Sequence, residues 1–357
     1  MEAIPGHSGI CSPAFTVSPS CETVAVIERV VDFERLRWMR CGRCSHEWDV
    51  DSAWLWRFEQ GDEACPKCGT NYEPLDRPDS WASQEDPSHD DTKVRGTFWY
   101  HTSTHSNWPD RAFDPTAGLT EVTKRRFQRS WADGHGLGRW AESQKTKALH
   151  LGTYEAAVEN MLRRMHEQDC AGHQFYLYRV RLSQDAMIEP GVHRELPGYF
   201  GDVQLGEHCS DDIDIFRYVN TYEDPSSISL AVTLEAINAV QMIAIPLTVD
   251  VEDVWISAAA ARLVDAASRP PPEPTTHFER MQRHRPSAVS IEASRLEEEV
   301  ATRLPLRLRD WFDRLSDEGN LKAEPSTFPS KLVGLSTLVN EPLAVLESLN
   351  TVPWREV

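Results

Sequence analysis

The sequence lacks any long apolar run: no stretch approaches the roughly 18 uninterrupted apolar residues that a membrane-spanning helix needs. Its N-terminus has no basic start followed by an apolar core, so we expect no secretory signal and no membrane partner, and we predict a cytoplasmic protein with reduced thiols. Positive charge is scarce as well, because 37 Lys and Arg stand against 56 Asp and Glu. The net charge of −19 argues against a protein that coats nucleic acid by bulk charge, although it leaves room for a local basic patch.

Length and composition predict a folded protein of several domains. At about 150 residues per domain, the 357 residues suggest two or three domains, and 12 Trp argue against a wholly disordered chain. Shifts in composition divide the chain into a flexible tail (1–22), a cysteine-rich segment (23–75), an acidic linker (76–92), a central region (93–250) and a helical C-terminal region (251–357). Strand patterns cluster in the central region without long crossover helices between them, which predicts an α+β fold with antiparallel strands.

Four of the eight cysteines form two C-x-x-C pairs separated by 20 residues, the spacing of a zinc ribbon. The four are Cys41, Cys44, Cys65 and Cys68. Zinc takes four tetrahedral ligands, and a tight turn, for which Gly42 and Gly69 are suited, presents both thiolates of a pair together. A site closed by four thiolates has no open position for substrate, so we predict a structural zinc ion.

The surroundings of the first cysteine pair leave two interpretations open. Basic and aromatic residues are interleaved there, namely Arg35, Arg37, Trp38, Arg40, Arg43, Trp48, Trp54 and Trp56. Such residues can follow a nucleic-acid backbone and stack its bases. Alternatively, the tryptophans fill the small core of the ribbon and dock it onto the next domain.

Three segments of the central region carry a further signal. TFWYHTS places His101 at the end of an aromatic strand, and ALHLGTYEAAVENML turns from a strand with His150 directly into a helix. DIFRYVNTYEDPSSISLAVTLEAI contains Tyr-x-Asn-x-x-Glu before a serine-rich strand. In order and spacing, these segments resemble the motifs of the ADP-ribosyltransferase fold, in particular its phage- and toxin-associated members. The resemblance covers roughly residues 95–250 and implies a mixed or antiparallel split sheet with NAD as the substrate.

The resemblance also implies roles for individual residues. The histidine of the first motif, His101, holds the adenosine-side ribose, and Thr102 and Ser103 bind the nicotinamide-side ribose or amide. The second motif stacks an aromatic ring on nicotinamide. This role falls to His150 in the strand or to Tyr154 in the first helical turn.

The third motif departs from the family pattern, which has a glutamate on the strand that is SSISLAV in this chain. The nearest carboxylate is Glu223, in the preceding loop. It could stabilise the ribosyl cation or act as a general base on the acceptor. Asn220 could bind the ribose or orient the acceptor.

Three functions fit the sequence. The first is an NAD-dependent ADP-ribosyltransferase that modifies a protein, DNA or RNA, with the ribbon as a structural or target-recognition module. The second is an NAD hydrolase, in which water is the acceptor. The third is a non-catalytic adaptor whose ribbon binds nucleic acid or protein, which the missing strand glutamate favours.

The C-terminal region is amphipathic. Its apolar positions include Leu304, Leu306, Trp311 and Leu315. This pattern is typical of a packed accessory bundle, and it also suits a surface that binds an inhibitor or an oligomer partner.

Overall fold

The computed structural model describes residues 26–117, 119–130, 136–167, 173–195, 203–247, 253–270, 286–313, 315 and 318–357. The flexible tail predicted at 1–22 lies outside these residues. Helices and several sheets are both present, so the predicted α+β class is confirmed.

The cysteine-rich segment folds around a three-stranded antiparallel sheet. Its strands are β1 (Arg37–Cys41), β2 (Glu47–Val50) and β3 (Pro78–Ser80), in the order β2–β1–β3. Helix α1 (Ser52–Glu59) follows β2 and begins where the Asp51 carboxylate accepts a hydrogen bond from the N–H of Trp54. The small apolar core of this unit consists of Met39, Val50, Leu55 and Phe58.

Two four-stranded sheets form the central region. Their strands are β4 (Trp99–Ser103), β5 (Leu149–Leu151), β6 (Phe175–Leu182), β7 (His193–Arg194), β8 (Ile215–Val219), β9 (Ile228–Val232), β10 (Ile237–Ile245) and β11 (Arg355–Glu356). The first sheet has the antiparallel order β11–β10–β6–β4. The second has the order β5–β9–β8–β7, in which only β7 and β8 run parallel. Paired backbone hydrogen bonds between Tyr100 and Gly152 connect the two sheets.

The remaining helices are α2 (Asp91–Arg95), α3 (Glu121–Ser130), α4 (Gly136–Lys145), α5 (Tyr154–Glu167), α6 (Val254–Ser268), α7 (Ala288–Ala301), α8 (Leu306–Arg309), α9 (Glu318–Ala323), α10 (Phe328–Asn340) and α11 (Pro342–Asn350). Thr153 caps α5, because its Oγ1 accepts from the N–H of Ala156 at 3.0 Å. Across the described ranges no single helix is long and apolar enough to cross a membrane. Among these residues, the segments Pro325–Asn340 and Pro342–Asn350 are long and apolar enough only when taken together, and the chain bends by 94° between them.

Two large apolar cores hold the sheets and helices together. One draws on both sheets, through residues such as Trp99 of β4, Tyr178 of β6 and Leu230 of β9. Because strand side chains alternate between faces, Leu177 of β6 lies in the other core. There it packs with Met161 of α5 and with the C-terminal helices.

Two predicted domain boundaries are less sharp than expected. Leu304 and Leu315 are buried in the core that also contains α5, and β11 extends the first sheet, so the boundary at 250 does not separate independent cores. The segment predicted as a linker at 76–92 contains β3 of the ribbon sheet. The buried Arg217 holds this segment further by donating to the backbone carbonyls of Ser88 and His89.

Helix α10 crosses the end of β10 at a glycine. A Cβ at Gly334 would lie 2.5 Å from the carbonyl oxygen of Leu247, which is too close for any side chain. We therefore expect Gly334→Ala to lower the free energy of unfolding by about 1–3 kcal/mol in urea titration. Gly138→Ala in α4 is the matched control. With nothing within 4 Å of its Cβ, it should stabilise the protein by up to about 1 kcal/mol. Equal effects of the two substitutions would contradict the packing argument.

Candidate metal centre and candidate active site

The four cysteine thiols of the ribbon lie within 4.8 Å of one another and could hold a metal ion such as zinc. The Sγ atom of Cys41 is 3.6 Å from that of Cys68, and the Sγ atom of Cys44 is 3.7 Å from that of Cys65. A tetrahedron with Zn–S bonds of about 2.3 Å has edges of about 3.8 Å. Both the donor set and its dimensions therefore fit tetrahedral zinc.

Both cysteine pairs lie in turns of the same form. The N–H of the fifth residue, Ser45 or Gly69, donates to the carbonyl of the first cysteine of each pair, Cys41 or Cys65, at 2.9 Å. Both fifth residues have a left-handed backbone, with φ of 55° and 71°. The glycine predicted to favour the second turn occupies the position that requires this conformation, while Ser45 adopts it in the first turn.

Two of the arginines that precede the first cysteine pair bind a buried carboxylate. Arg35 and Arg37 donate to Oδ1 of Asp224 at 2.8 and 3.3 Å, and the Asp224 side chain is fully buried. Trp48 and Trp54 pack against the apolar core of the ribbon. These positions favour the structural interpretation of the four residues over direct contact with nucleic acid.

A cleft of about 310 Å³ opens where β4 and β5 meet helix α5. Its other walls come from β8, β9, the loop after β8 and the residue that follows β7. Five of the seven residues predicted for the central region line it, namely His101, Thr102, His150, Asn220 and Glu223. The three sequence motifs therefore meet in one place.

His101 is fixed at the junction of the two sheets. Its Nδ1 lies 2.9 Å from the backbone oxygen of His150. Since a carbonyl only accepts, Nδ1 carries the proton and Nε2 remains an acceptor. The ring stacks on Trp108 with 4.1 Å between centroids. Burial lowers the pKa of His101 to about 3, so the imidazole is neutral at neutral pH.

The second motif places His150 on β5, where it also lines the cleft. Its Nδ1 lies 3.0 Å from the hydroxyl oxygen of Tyr218 on β8. Burial lowers the pKa of His150 to about 4, so this imidazole is neutral as well. The chain can turn from β5 directly into α5 because Gly152 has no side chain. A Cβ there would lie 2.8 Å from the Cβ of Ala156.

The third motif is a turn built by Asn220. Its Oδ1 accepts from the N–H groups of Tyr222 and Glu223, at 3.1 and 3.0 Å, which fixes the backbone of the turn that carries Glu223. Oε1 of Glu223 accepts from Nδ2 of Asn160 at 3.0 Å and from Nε of Arg163 at 2.9 Å. The carboxylate is thus held against α5 at the cleft.

Two of the predicted residues, Tyr154 and Ser103, lie outside the cleft, and the hydroxyl of Thr102 is already engaged. Tyr154 does not line the cleft; its ring belongs to the core, and its hydroxyl donates to the backbone oxygen of Leu338 at 2.9 Å. Ser103 is buried outside the cleft wall, with its Oγ accepting from the N–H of His105. Thr102 borders the cleft, but its hydroxyl donates to the carbonyl of Ala157. The burial of these three residues suits a structural role.

Several residues that line the cleft were not predicted as site residues from the sequence. Arg163 and Arg164 line the cleft from α5, three and four residues after Asn160, and helical spacing could have placed them beside it. Glu195 lines the cleft from the end of β7, a two-residue strand without a periodic pattern. Nothing in the local sequence marked this carboxyl group.

Comparison of the chain with protein-family models, with curated proteins and with solved structures gave no match in any of the three.

Proposed function

We propose that this protein is an NAD-dependent ADP-ribosyltransferase that modifies a macromolecular acceptor, with a zinc ribbon attached. The observation that carries the proposal is that five residues from three distant motifs line one cleft. These motifs lie far apart in the sequence, so their convergence supports the resemblance to the ADP-ribosyltransferase fold. The junction of two sheets at this cleft agrees with a split-sheet architecture.

The reaction sets physical requirements for such a cleft. The nicotinamide ring of NAD is cationic and leaves as a neutral molecule, through a transition state with positive charge on the ribose. The site therefore needs groups that hold the ribose, a neutral surface for the nicotinamide and an anion near the developing charge.

The cleft residues meet these requirements in our assignment. Neutral His101 offers Nε2 as an acceptor for a ribose hydroxyl, while its partner on Nδ1 fixes the ring orientation. Neutral His150 presents an aromatic face that does not repel the cationic nicotinamide. Glu223 supplies the anion, and its bonds to Asn160 and Arg163 hold it in place before reaction.

Positive charge at the same cleft suits the pyrophosphate of NAD. Arg163 and Arg164 both border it; Arg163 is paired with Glu223, so we assign the phosphate contact to Arg164, since guanidinium groups bind phosphate oxygens. In the ribbon, we propose a zinc ion held by the four cysteines, with a structural role because four thiolates complete its coordination.

The first test is nicotinamide release from NAD by the purified protein. We expect the wild type to release nicotinamide and His101→Ala to release it at least about 10²-fold more slowly. Without the hydrogen bond to the imidazole, the ribose is misplaced at the reacting centre. His89→Ala is the matched control. This histidine lies outside the cleft, its Nε2 2.9 Å from the carbonyl oxygen of Ser83, and its loss should leave release unchanged.

The acceptor is identified in the same assay by adding protein, DNA or RNA. Stimulation by one class, with ADP-ribose attached to it, supports a transferase. Free ADP-ribose as the sole product would make the protein an NAD hydrolase instead. A protein that releases no nicotinamide under any of these conditions would contradict both activities.

A further inference from the structure

A second carboxyl group, that of Glu195, lines the cleft that also contains Glu223. Glu195 follows β7, whose parallel pairing with β8 brings it beside the loop that begins at Asn220. Its Oε2 accepts from the N–H and the hydroxyl of Thr221, at 2.8 and 2.6 Å. One carboxylate oxygen is thus anchored on the backbone of the loop that carries Glu223.

The two carboxyl groups have different surroundings. Glu223 accepts hydrogen bonds from the guanidinium of Arg163 and from the side-chain amide of Asn160. Within the described part of the chain, Glu195 has no ion pair. Thr221 donates two hydrogen bonds to it, and the carboxylates of Glu223 and Asp79 lie close enough to repel its charged form.

These surroundings change the acidity of Glu195. Burial, followed by the repulsion from Glu223 and Asp79, raises the pKa of Glu195 to about 7, although the hydrogen bonds from Thr221 oppose the change. Asp79 is itself paired with Arg194, and Tyr222 also faces the group, with its own pKa raised by burial and by Glu195. Two carboxyl groups in one cleft with such different environments are the usual arrangement for a division between a fixed anion and a proton acceptor.

We infer that Glu195 is the general base that takes the proton from the acceptor, while Glu223 remains the anion beside the ribose. This inference rests on the proposed function. In the step, the bond between C1′ of the ribose and the nicotinamide nitrogen breaks, and its electron pair leaves with neutral nicotinamide. The acceptor oxygen or nitrogen forms the new bond to C1′, its proton passes to the Glu195 carboxylate, and that proton is later released to water.

The test is the pH profile of nicotinamide release at saturating NAD and acceptor. A base must be ionised to accept a proton, so wild-type kcat should rise with pH, with a midpoint of about 7. Glu195→Gln should lower kcat by about 10²–10⁴-fold and abolish this rise, with the KM for NAD little changed. Glu235→Gln, a carboxylate outside the cleft paired with Arg111, should retain both the rate and the profile.

A second variant tests Glu195 without removing it. Thr221→Val deletes a hydrogen bond that favours the ionised carboxylate, so the rise in kcat should move to higher pH. A residue with a purely structural role would not move this midpoint. An unshifted midpoint in Thr221→Val, or a Glu195→Gln protein with the wild-type profile, would overturn the assignment of the base and leave the proposed function standing. Absence of release by the wild type at every pH would overturn the proposed function itself, and the assignment with it.

Discussion

We expect Cys44→Ser to abolish binding of the zinc ion proposed above and to unfold the ribbon. Metal binding supplies on the order of 10 kcal/mol or more of folding free energy to such a site. The apolar core of the ribbon is small, with Met39, Val50, Leu55 and Phe58 as its buried members, and cannot replace that contribution. Metal analysis should find about one zinc ion per wild-type chain and far less in the variant. Chelation of the wild type should give the same unfolded ribbon.

The matched control for this substitution is Cys209→Ser. Cys209 lies outside the ribbon, its thiol donates to the backbone oxygen of Leu205 at 3.2 Å, and a serine can make the same bond. The zinc content and thermal unfolding of this variant should equal those of the wild type. A Cys44→Ser protein that kept its zinc, or a wild type that contained none, would contradict the metal centre.

Loss of zinc should also lower the activity that we propose for the cleft. Arg35 lies just before β1 of the ribbon sheet and Arg37 begins that strand, and both side chains bind Asp224, the residue that follows Glu223. When the ribbon unfolds, these two guanidinium groups lose their fixed positions. We therefore expect nicotinamide release to fall together with the zinc content, even though the metal and the cleft share no residue.

The parts of this structure that the sequence predicted are those with a local signal. The cysteine pairs have the spacing of a zinc ribbon, and their four thiols lie within 4.8 Å of one another. Thr153 is of a residue type that favours the start of a helix, and it caps α5. The Asn220–Glu223 turn depends on hydrogen bonds across three residues, so the pattern already contained its geometry. Local chemistry of this kind does not depend on the rest of the fold.

Residues whose role depends on tertiary packing were placed wrongly or missed. Tyr154 lies on the face of α5 that turns toward the core, and the position of α5 against the sheets decides this orientation. Glu195 reaches the cleft through a parallel pairing with a strand that lies far along the chain. Arg37 and Asp224 meet across 187 positions, and neither residue carries a local sign of its partner.

Asp224→Asn is expected to destabilise the protein by about 3–5 kcal/mol. Asp224 is 0% exposed, and Arg37, which binds it, is 1% exposed. The amide keeps the size of the side chain but removes its charge, so the guanidinium remains buried without compensation. Glu47→Gln is the matched control. It removes the carboxylate of the half-exposed pair with Arg40 and should cost less than about 1 kcal/mol. Urea titration of both variants measures the difference, and similar small effects would contradict the argument.

The contacts of Asp224 explain why this loop contains a buried charged residue. Its carboxylate binds the two arginines near the ribbon, its Oδ2 accepts from the hydroxyl of Thr153 at 2.8 Å, and its N–H donates to Glu159 at 2.7 Å. The residue has a left-handed φ of 47°, which restricts the loop further. Buried ion pairs add little net stability compared with apolar packing, so their advantage here is position. The double variant Arg37→Met with Asp224→Leu should therefore recover part of the stability lost by Asp224→Asn, but not the nicotinamide release, because the Glu223 loop would lose its side-chain contacts with Arg35 and with Thr153 at the start of α5.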